Sequence, residues 1–358
     1  MRELLRRLAE REPTDLPILS IYLDMRSEAT GEAPGRRSGE IVLKDRLHEL
    51  ERILLPRGQG LDSVRADAQR IERYLAETYA PGVAGLASFA CAAQQLFETV
   101  EVGVPFENQT SVGPVPDLFQ LARPLDEQET AVVALVDSNT VRLFVSRTGV
   151  LEERDGPDEE SVSFQKRAMG GWSQARYRRH IDQHRTDFVS GAAVAIEHLM
   201  AQESAVRLIL AGDEVALTPL RDALAPATAA LATAVLRLDI RTPPDEVERD
   251  VAPVLAQAEA DDAHTAADRL IDAVRGDGLG VVGLERTRAA LMQGQVDVLL
   301  LDPAAPIDEC IRNDLVRMTT VTDATIEVVD GHADLRHLGG VGAFLRYRST
   351  DRDQVVAR

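Results

Sequence analysis

The spacing of apolar and polar positions divides the chain into alternating strand-like and helix-like stretches. Pro17-Ile18-Leu19-Ser20-Ile21-Tyr22-Leu23-Asp24 has the period-two spacing of a strand, and the polar, Gly- and Arg-rich stretch from Arg26 to Gly39 reads as a loop. Ile41, Leu43, Leu47, Leu50 and Leu54 then recur at helical spacing, and Val64 to Tyr79 repeats the pattern until Pro81-Gly82 ends it. Short strands are predicted near Gly85 to Phe89 and Gln95 to Val100. Beyond them Pro105, Pro114, Pro116 and Pro124 punctuate a stretch with few periodic apolar positions, read as a loop-rich crossing into a second domain.

The second stretch opens on two apolar runs, Thr130 to Val136 and Val141 to Val145, joined by Asp137-Ser138-Asn139-Thr140, the pattern of a β-hairpin. A third strand near Val150-Leu151 leads into the acidic Glu152 to Glu160. After the pair Gly170-Gly171, positions Ile181, Phe188, Ala192, Ala195, Ile196 and Leu199 fall on one face of a long helix, leaving Arg178, Arg179 and Arg185 free to point elsewhere. A buried-type strand from Val206 to Ala211, a helix from about Thr218 to Leu231 and a strand near Ala234 to Leu238 imply parallel pairing. A long helix from Pro244 to Val274 runs to the break at Gly276-Asp277-Gly278. Then come a helix near Glu285 to Gln293, a strand Val296 to Leu301, a helix Ile307 to Met318, a strand Thr325 to Val329, a turn at Gly331 and a strand Val341 to Tyr347, a small α/β sandwich.

The predicted class is therefore α/β in three small domains: an N-terminal one over 1–126, a middle one over 127–275 built on a mixed sheet with flanking helices, and a C-terminal sandwich over 276–358. A length of 358 residues with 44% apolar composition supports a core in each. Charges interrupt the opening Met1-Arg2-Glu3-Leu4-Leu5-Arg6-Arg7, and no run of about 18 apolar residues follows, so a cytosolic chain without signal peptide or membrane span is expected. Cys91 and Cys310 lack metal-ligand spacing and are expected to be buried, inert thiols. His180 and His184 are four apart on one helix, but no third ligand accompanies them, so neither metal nor other cofactor is expected. His332 and His337 read as turn and surface residues.

Charge changes the picture. A net charge of −19 ordinarily argues against nucleic acid. Yet from Phe164 to Thr186 Lys166, Arg167, Arg176, Arg178, Arg179 and Arg185 stand against Asp182 alone, so this stretch is about +5 and the rest about −24. An acidic body with one basic tip suits a protein that sets a single element against RNA phosphates, which position but carry no sequence information. DNA and membrane are not expected partners.

A glycine pair before a polar helix is by itself an ordinary turn needing positive φ. No Gly-x-x-x-x-Gly-Lys-Ser/Thr is present, and no Ser, Cys or Thr has a nucleophile-elbow context, which disfavours nucleotide hydrolysis and triad chemistry. The combination is more informative: two glycines, Gln174 four residues after the first, cations on both sides, and the only Trp of the chain between them. Gly170-Gly171-Trp172-Ser173-Gln174-Ala175-Arg176-Tyr177 resembles the middle-domain loop of the archaeal and eukaryotic class-I release factors. It is closer still to bacterial members of that superfamily, the Vms/ANKZF-type peptidyl-tRNA hydrolases and Pelota/Balon-like factors. The ending Leu338-Gly339-Gly340-Val341-Gly342-Ala343-Phe344-Leu345-Arg346-Tyr347 is similar to the C-terminus of the bacterial group.

This resemblance implies a protruding middle-domain loop, a last domain of ribosomal-protein type, and action at the large ribosomal subunit on peptidyl-tRNA, with a translational GTPase such as EF-Tu as a further partner. Gln174 would orient water against the ester carbonyl, since an amide has no useful pKa and acts by positioning and by stabilising the developing oxyanion. Gly170 and Gly171 would admit close backbone approach, with Ser173 beside RNA. Trp172 would stack on a base or ribose, or else pack beneath the loop. The six cations would meet tRNA or rRNA phosphates. Trp172-Ser173 separates the glycines from Gln174, a departure from a contiguous Gly-Gly-Gln. Two functions follow: ester hydrolysis for rescue or termination, or non-catalytic occupation of the A site as a hibernation factor.

Overall fold

The structure, a computed structural model, describes residues 2–13, 15–26, 43–44, 61–77, 83–126, 129–147, 149–154 and 174–348, with 2, 61, 123–126 and 174–185 described by their backbone only. The chain forms two compact units, one of residues 1–127 with 259–358 and one of 128–258. The architecture is mixed α/β, with three sheets and, among the described residues, ten α-helices.

The middle unit is built on five strands, β5 (Ala131–Val136), β6 (Val141–Arg147), β7 (Val150–Arg154), β8 (Arg207–Gly212) and β9 (Ala232–Leu236), in the order β7-β6-β5-β8-β9. The β5–β6 hairpin pairs antiparallel, with Ala134 opposite Leu143, whereas β5–β8 and β8–β9 pair parallel. Every residue of the two central strands β5 and β8 is buried, the reason their apolar runs are continuous rather than alternating. One face packs Val132, Ala134, Leu143, Leu208 and Leu210 beneath helix α4 (Gln174–Glu203) and helix α5 (Glu214–Ala223). The other sets Val133, Leu135, Phe144 and Ile209 against Val247 and Val251 of helix α7 (Pro244–Arg275). The single helix expected from Thr218 to Leu231 is instead two, α5 and α6 (Pro226–Ala230), because Leu224 and Ala225 turn extended just before Pro226.

The other unit holds two sheets. β1 (Ile18–Asp24), β2 (Gly85–Cys91), β3 (Leu96–Val102) and β4 (Gln109–Gly113) form an antiparallel sheet in the order β3-β2-β1-β4, covered by helix α2 (Leu61–Glu77). Strand β4 and helix α3 (Phe119–Asp126) occupy the stretch expected to be loop-rich. The prolines mislead there: Pro105, Pro114 and Pro116 flank an edge strand rather than interrupt it, and edge strands tolerate such neighbours. The last sheet, order β10-β13-β11-β12, comprises β10 (Gly280–Val282), β11 (Val296–Leu301), β12 (Thr325–Val328) and β13 (Val341–Leu345). Around it lie helices α8 (Leu284–Met292), α9 (Glu309–Val321) and α10 (Ala333–His337).

These two sheets share one hydrophobic cluster, in which Leu5 and Leu8 of helix α1 (Arg2–Ala9), Tyr22, Phe89 and Leu118 join Leu299, Leu315 and Val341. Arg317 of α9 donates to the carbonyls of Ala9 and Arg11, at 2.9 and 2.7 Å. Two expectations are corrected here. Cys91 is buried, but Cys310 is exposed, because Asp308 caps the start of α9 and leaves the first turn facing solvent. His332 is not a surface residue: it is buried, accepts from Leu335 N on Nδ1 at 3.1 Å as the cap of α10, and meets Asp268 through Nε2 at 3.1 Å.

Candidate functional site

Lys166, Arg167, Gly170, Gly171, Trp172 and Ser173 lie outside the described residues. What surrounds their segment is described on both sides. Upstream, β7 ends at Arg154, and downstream α4 begins at Gln174. Arg176, Arg178, Arg179 and Arg185 lie in the first dozen residues of α4, whose 30 residues hold only one glycine, Gly191, and no proline. At 1.5 Å per residue the helix is about 45 Å long.

Phe188, Val189, Ala192, Ala193, Ile196, Leu199 and Met200 of α4 enter the core, and Thr186 and Asp187 are exposed. At 100° per residue, positions 174, 178, 181 and 185 continue the line of Phe188, Ala192, Ile196 and Leu199. Positions 176 and 179 fall off that line. Gln174, Arg178, Ile181 and Arg185 thus share the buried face's register, so of the three arginines expected to point elsewhere only Arg179 leaves that line, as does Arg176.

Several described arginines of the unit sit in ion pairs. Arg142 grips Glu153 with two hydrogen bonds of 2.7 and 2.8 Å and donates to the carbonyls of Ile240 and Thr242 at 2.9 and 2.6 Å. The hydrogen bond from Arg142 holds the Glu153 carboxyl below its usual range. Arg207 pairs with Glu129 at 2.7 Å, and Arg237 with Glu214 at 3.0 Å. Arg147 and Arg154 both meet Glu203, the last residue of α4, Arg154 at 3.7 Å. These five arginines are matched by carboxylates, whereas 164–186 carries six cations against one Asp in the sequence.

The ends of parallel strands are where open α/β sheets usually take ligand. Here the two acids at those ends serve the backbone. Asp137 accepts from Asn139 N and Thr140 N at 2.7 and 2.6 Å to close the hairpin, and Asp213 caps α5 through Val215 N. Gly212 has φ +136°, and a Cβ there would overlap the Val136 carbonyl oxygen of the neighbouring strand. Among the described residues no group of three or more His, Cys, Asp or Glu could hold a metal ion, and no helix is long and apolar enough to cross a membrane.

Residues 116–259 match the family model of bacterial archaeo-eukaryotic release factor family 10. This segment belongs to the release-factor-like superfamily. The release-factor-like segment contains the whole β5–β9 sheet, helix α4 and the residues from 155 to 173. Solved structures similar to the chain include the archaeal translation termination factor aRF1, 18% identical, covering 96% of each chain with a TM-score of 0.27. Archaeoglobus fulgidus Pelota is 17% identical over 74% of this chain and 79% of its own, with a TM-score of 0.39. S. cerevisiae Dom34, described as a termination-like factor of RNA quality control that interacts with Hbs1, is 10% identical over 75% and 82%, with a TM-score of 0.42. No curated protein matches.

Sequence reasoning missed the pairing of Glu203 with Arg147 and Arg154. Their partnership crosses about fifty residues of sequence, and no local pattern signals it.

Proposed function

We propose that this protein acts at the ribosome as a release-factor-like peptidyl-tRNA hydrolase, with Gly170-Gly171-x-x-Gln174 as the element that enters the large-subunit RNA. The reading rests on one observation above the others: the motif lies within the family-matched segment, and its Gln174 is the first residue of a 30-residue helix. A stiff helix holds its first residue at a defined distance from the sheet that anchors its other end, which an isolated surface loop does not.

In this reading the cations at 166, 167, 176, 178, 179 and 185 neutralise tRNA and rRNA phosphates, and Trp172 stacks on a nucleobase. Gly170 and Gly171 let the backbone approach the acceptor end, and Ser173 lies against RNA beside them. Gln174 orders a water against the ester carbonyl and donates to the oxyanion that forms. The protein is cytoplasmic, needs no cofactor, and works on a large subunit that carries peptidyl-tRNA. We read three domains bounded near 126 and 275, the first and last packed together in one compact unit and the last available to a translational GTPase such as EF-Tu.

One observation favours a second reading. Trp172-Ser173 stands between the glycines and Gln174, where a contiguous Gly-Gly-Gln has none. A loop so altered could fill the A site without hydrolysis, as a hibernation factor. Release of labelled peptide from nascent-chain complexes separates the two. Catalysis predicts release by the wild type and a loss of about 100-fold or more in Gln174→Ala, the scale seen when one such donor is removed. Binding to ribosomes with no release by either protein would select the second reading.

A further inference from the structure

In sequence the first sheet and the last are separated by the whole of the middle unit, residues 128–258. We propose that the two nevertheless fold and open as one cooperative body, so that a disturbance of either sheet reaches the other without passing through the middle unit. Side-chain alternation along the strands shows where the joint lies. Leu19, Ile21 and Leu23 of β1 face helix α2 in a cluster of their own, whereas Ile18 and Tyr22 enter the shared cluster. In β11 Leu300 belongs to a second private cluster with Ala267 and Leu270 of α7, whereas Leu299 and Leu301 enter the shared one. Each sheet therefore keeps one face for itself and gives the other to a common core. Parting the sheets would return both inner faces to water, and apolar burial is the dominant favourable contribution to folding.

Residues 116–118 are gripped from both sides of that core. From the first sheet, the Tyr22 hydroxyl donates to the Asp117 carbonyl at 2.6 Å, and Ser20 Oγ accepts from Asp117 N at 3.0 Å. From the last domain, Asn313 of α9 accepts from Leu118 N and donates to the Pro116 carbonyl, each at 2.8 Å. Ser20, Tyr22 and Asn313 are all buried, so none of these bonds is exchanged for one to water while the core stays closed. The flanking helices cross over as well. Helix α1 packs on α9, where Arg317 donates to the carbonyls of Ala9 and Arg11, and α3 packs along β12. The tie between the sheets is thus specific as well as apolar, because neighbouring peptide groups around Asp117 are committed to partners on opposite sides.

Native-state hydrogen exchange on the full-length protein tests this, because the slowest amides of a cooperative unit open only with the unit. Ile71→Val trims a side chain on the α2 face of the first sheet, in a cluster that holds no residue of the last. It should speed the slowest amides of β1 and β2 by about two- to tenfold, and those of β11 and β13 by the same factor. Leu300→Ala, on the far face of the last sheet, should speed the same four strands by a common factor of about 30-fold or more. In both variants the slowest amides of β5 and β8 should keep their wild-type rates. Wild-type rates in β11 and β13 of Ile71→Val, or in β1 and β2 of Leu300→Ala, would overturn the proposal. A common shift that also takes in β5 and β8 would overturn it as well, since the coupling would then not be confined to the two sheets. No ribosome enters the measurement, so its outcome is independent of the proposed hydrolase activity.

Discussion

Asn313 grips the backbone on both sides of Asp117, and the contact with Leu118 is half of that grip: Leu118 N donates to Asn313 Oδ1 at 2.8 Å, and Asn313 Nδ2 donates to the Pro116 carbonyl at 2.8 Å. The residues involved are almost wholly buried where the first and last sheets share their cluster. Asn313→Ala strands one donor and one acceptor at once, so unfolding free energy should drop by about 2–4 kcal/mol at the usual cost of a buried unsatisfied group. Asn313→Asp keeps an acceptor for Leu118 but no longer donates to Pro116. Urea denaturation of the two variants should therefore rank Asn313→Ala below the wild type, with an equal loss in an exposed control such as Asn139→Ala arguing against the clamp.

Asp117 carries a pH dependence of definite sign. Burial pushes its carboxyl above the usual range, although Phe119 N and the Ser111 hydroxyl donate to it at 3.3 and 3.1 Å. The folded state therefore keeps this proton to higher pH than the unfolded chain does. Between the ordinary Asp range near 4 and the raised folded value, the native state binds more protons, and stability falls as pH rises. Asp117→Asn removes that slope. The wild type should lose ground to the variant by up to about 1.4 kcal/mol per pH unit inside the window, and parallel stability curves across it would contradict the assignment.

Gly212→Ala is expected to destabilise the middle unit strongly. The residue has φ +136°, which an L side chain rarely adopts, and its new methyl would drive into the Val136 carbonyl of the neighbouring strand. Strain of about 3 kcal/mol or more is the scale for such a position. Gly191→Ala makes a useful contrast, because nothing lies within 4 Å of a Cβ there and α4 gains a better helix former, about 1 kcal/mol at an exposed site. Thermal melts should move in opposite directions for the two.

These contrasts also show what could be read before any coordinates. The β5–β6 hairpin was legible because its signal is local: two apolar runs around a turn that Asp137 closes with its own carboxylate. The core stripe of α4 was legible because period and burial agree at Phe188, Ala192 and Ile196. Strand β4 was not, since all five of its residues are half-buried and give no alternation. Nor was the shared cluster of the first and last sheets, whose contacts join Leu8 to residues about three hundred positions later. For the candidate site, the Gly-Gly-x-x-Gln spacing and the cation run were visible in the sequence. The pairing of Glu203 with Arg147 and Arg154 was not, because an ion pair across a sheet edge leaves no periodic trace.

The last expectation concerns the cations, and it depends on counting. A contact that displaces counterions from RNA weakens as a power of salt concentration, by about 0.7–0.9 in the log–log slope for each phosphate neutralised. If Lys166, Arg167, Arg176, Arg178, Arg179 and Arg185 all meet phosphates, ribosome binding should fall with a slope of roughly 4–5 between low and physiological salt. Arg178→Gln and Arg185→Gln, on the register line of the helix's buried stripe, test whether that face meets RNA. Arg176→Gln and Arg179→Gln test the flank. Each substitution on a contacting face should reduce the slope by just under one. Arg237→Gln, whose partner Glu214 already neutralises it, should leave the slope unchanged while removing a similar charge from the protein. Sedimentation with ribosomes across a salt series measures all five. A slope that drops equally for Arg237→Gln would mean that net charge, not the helix start, governs the encounter.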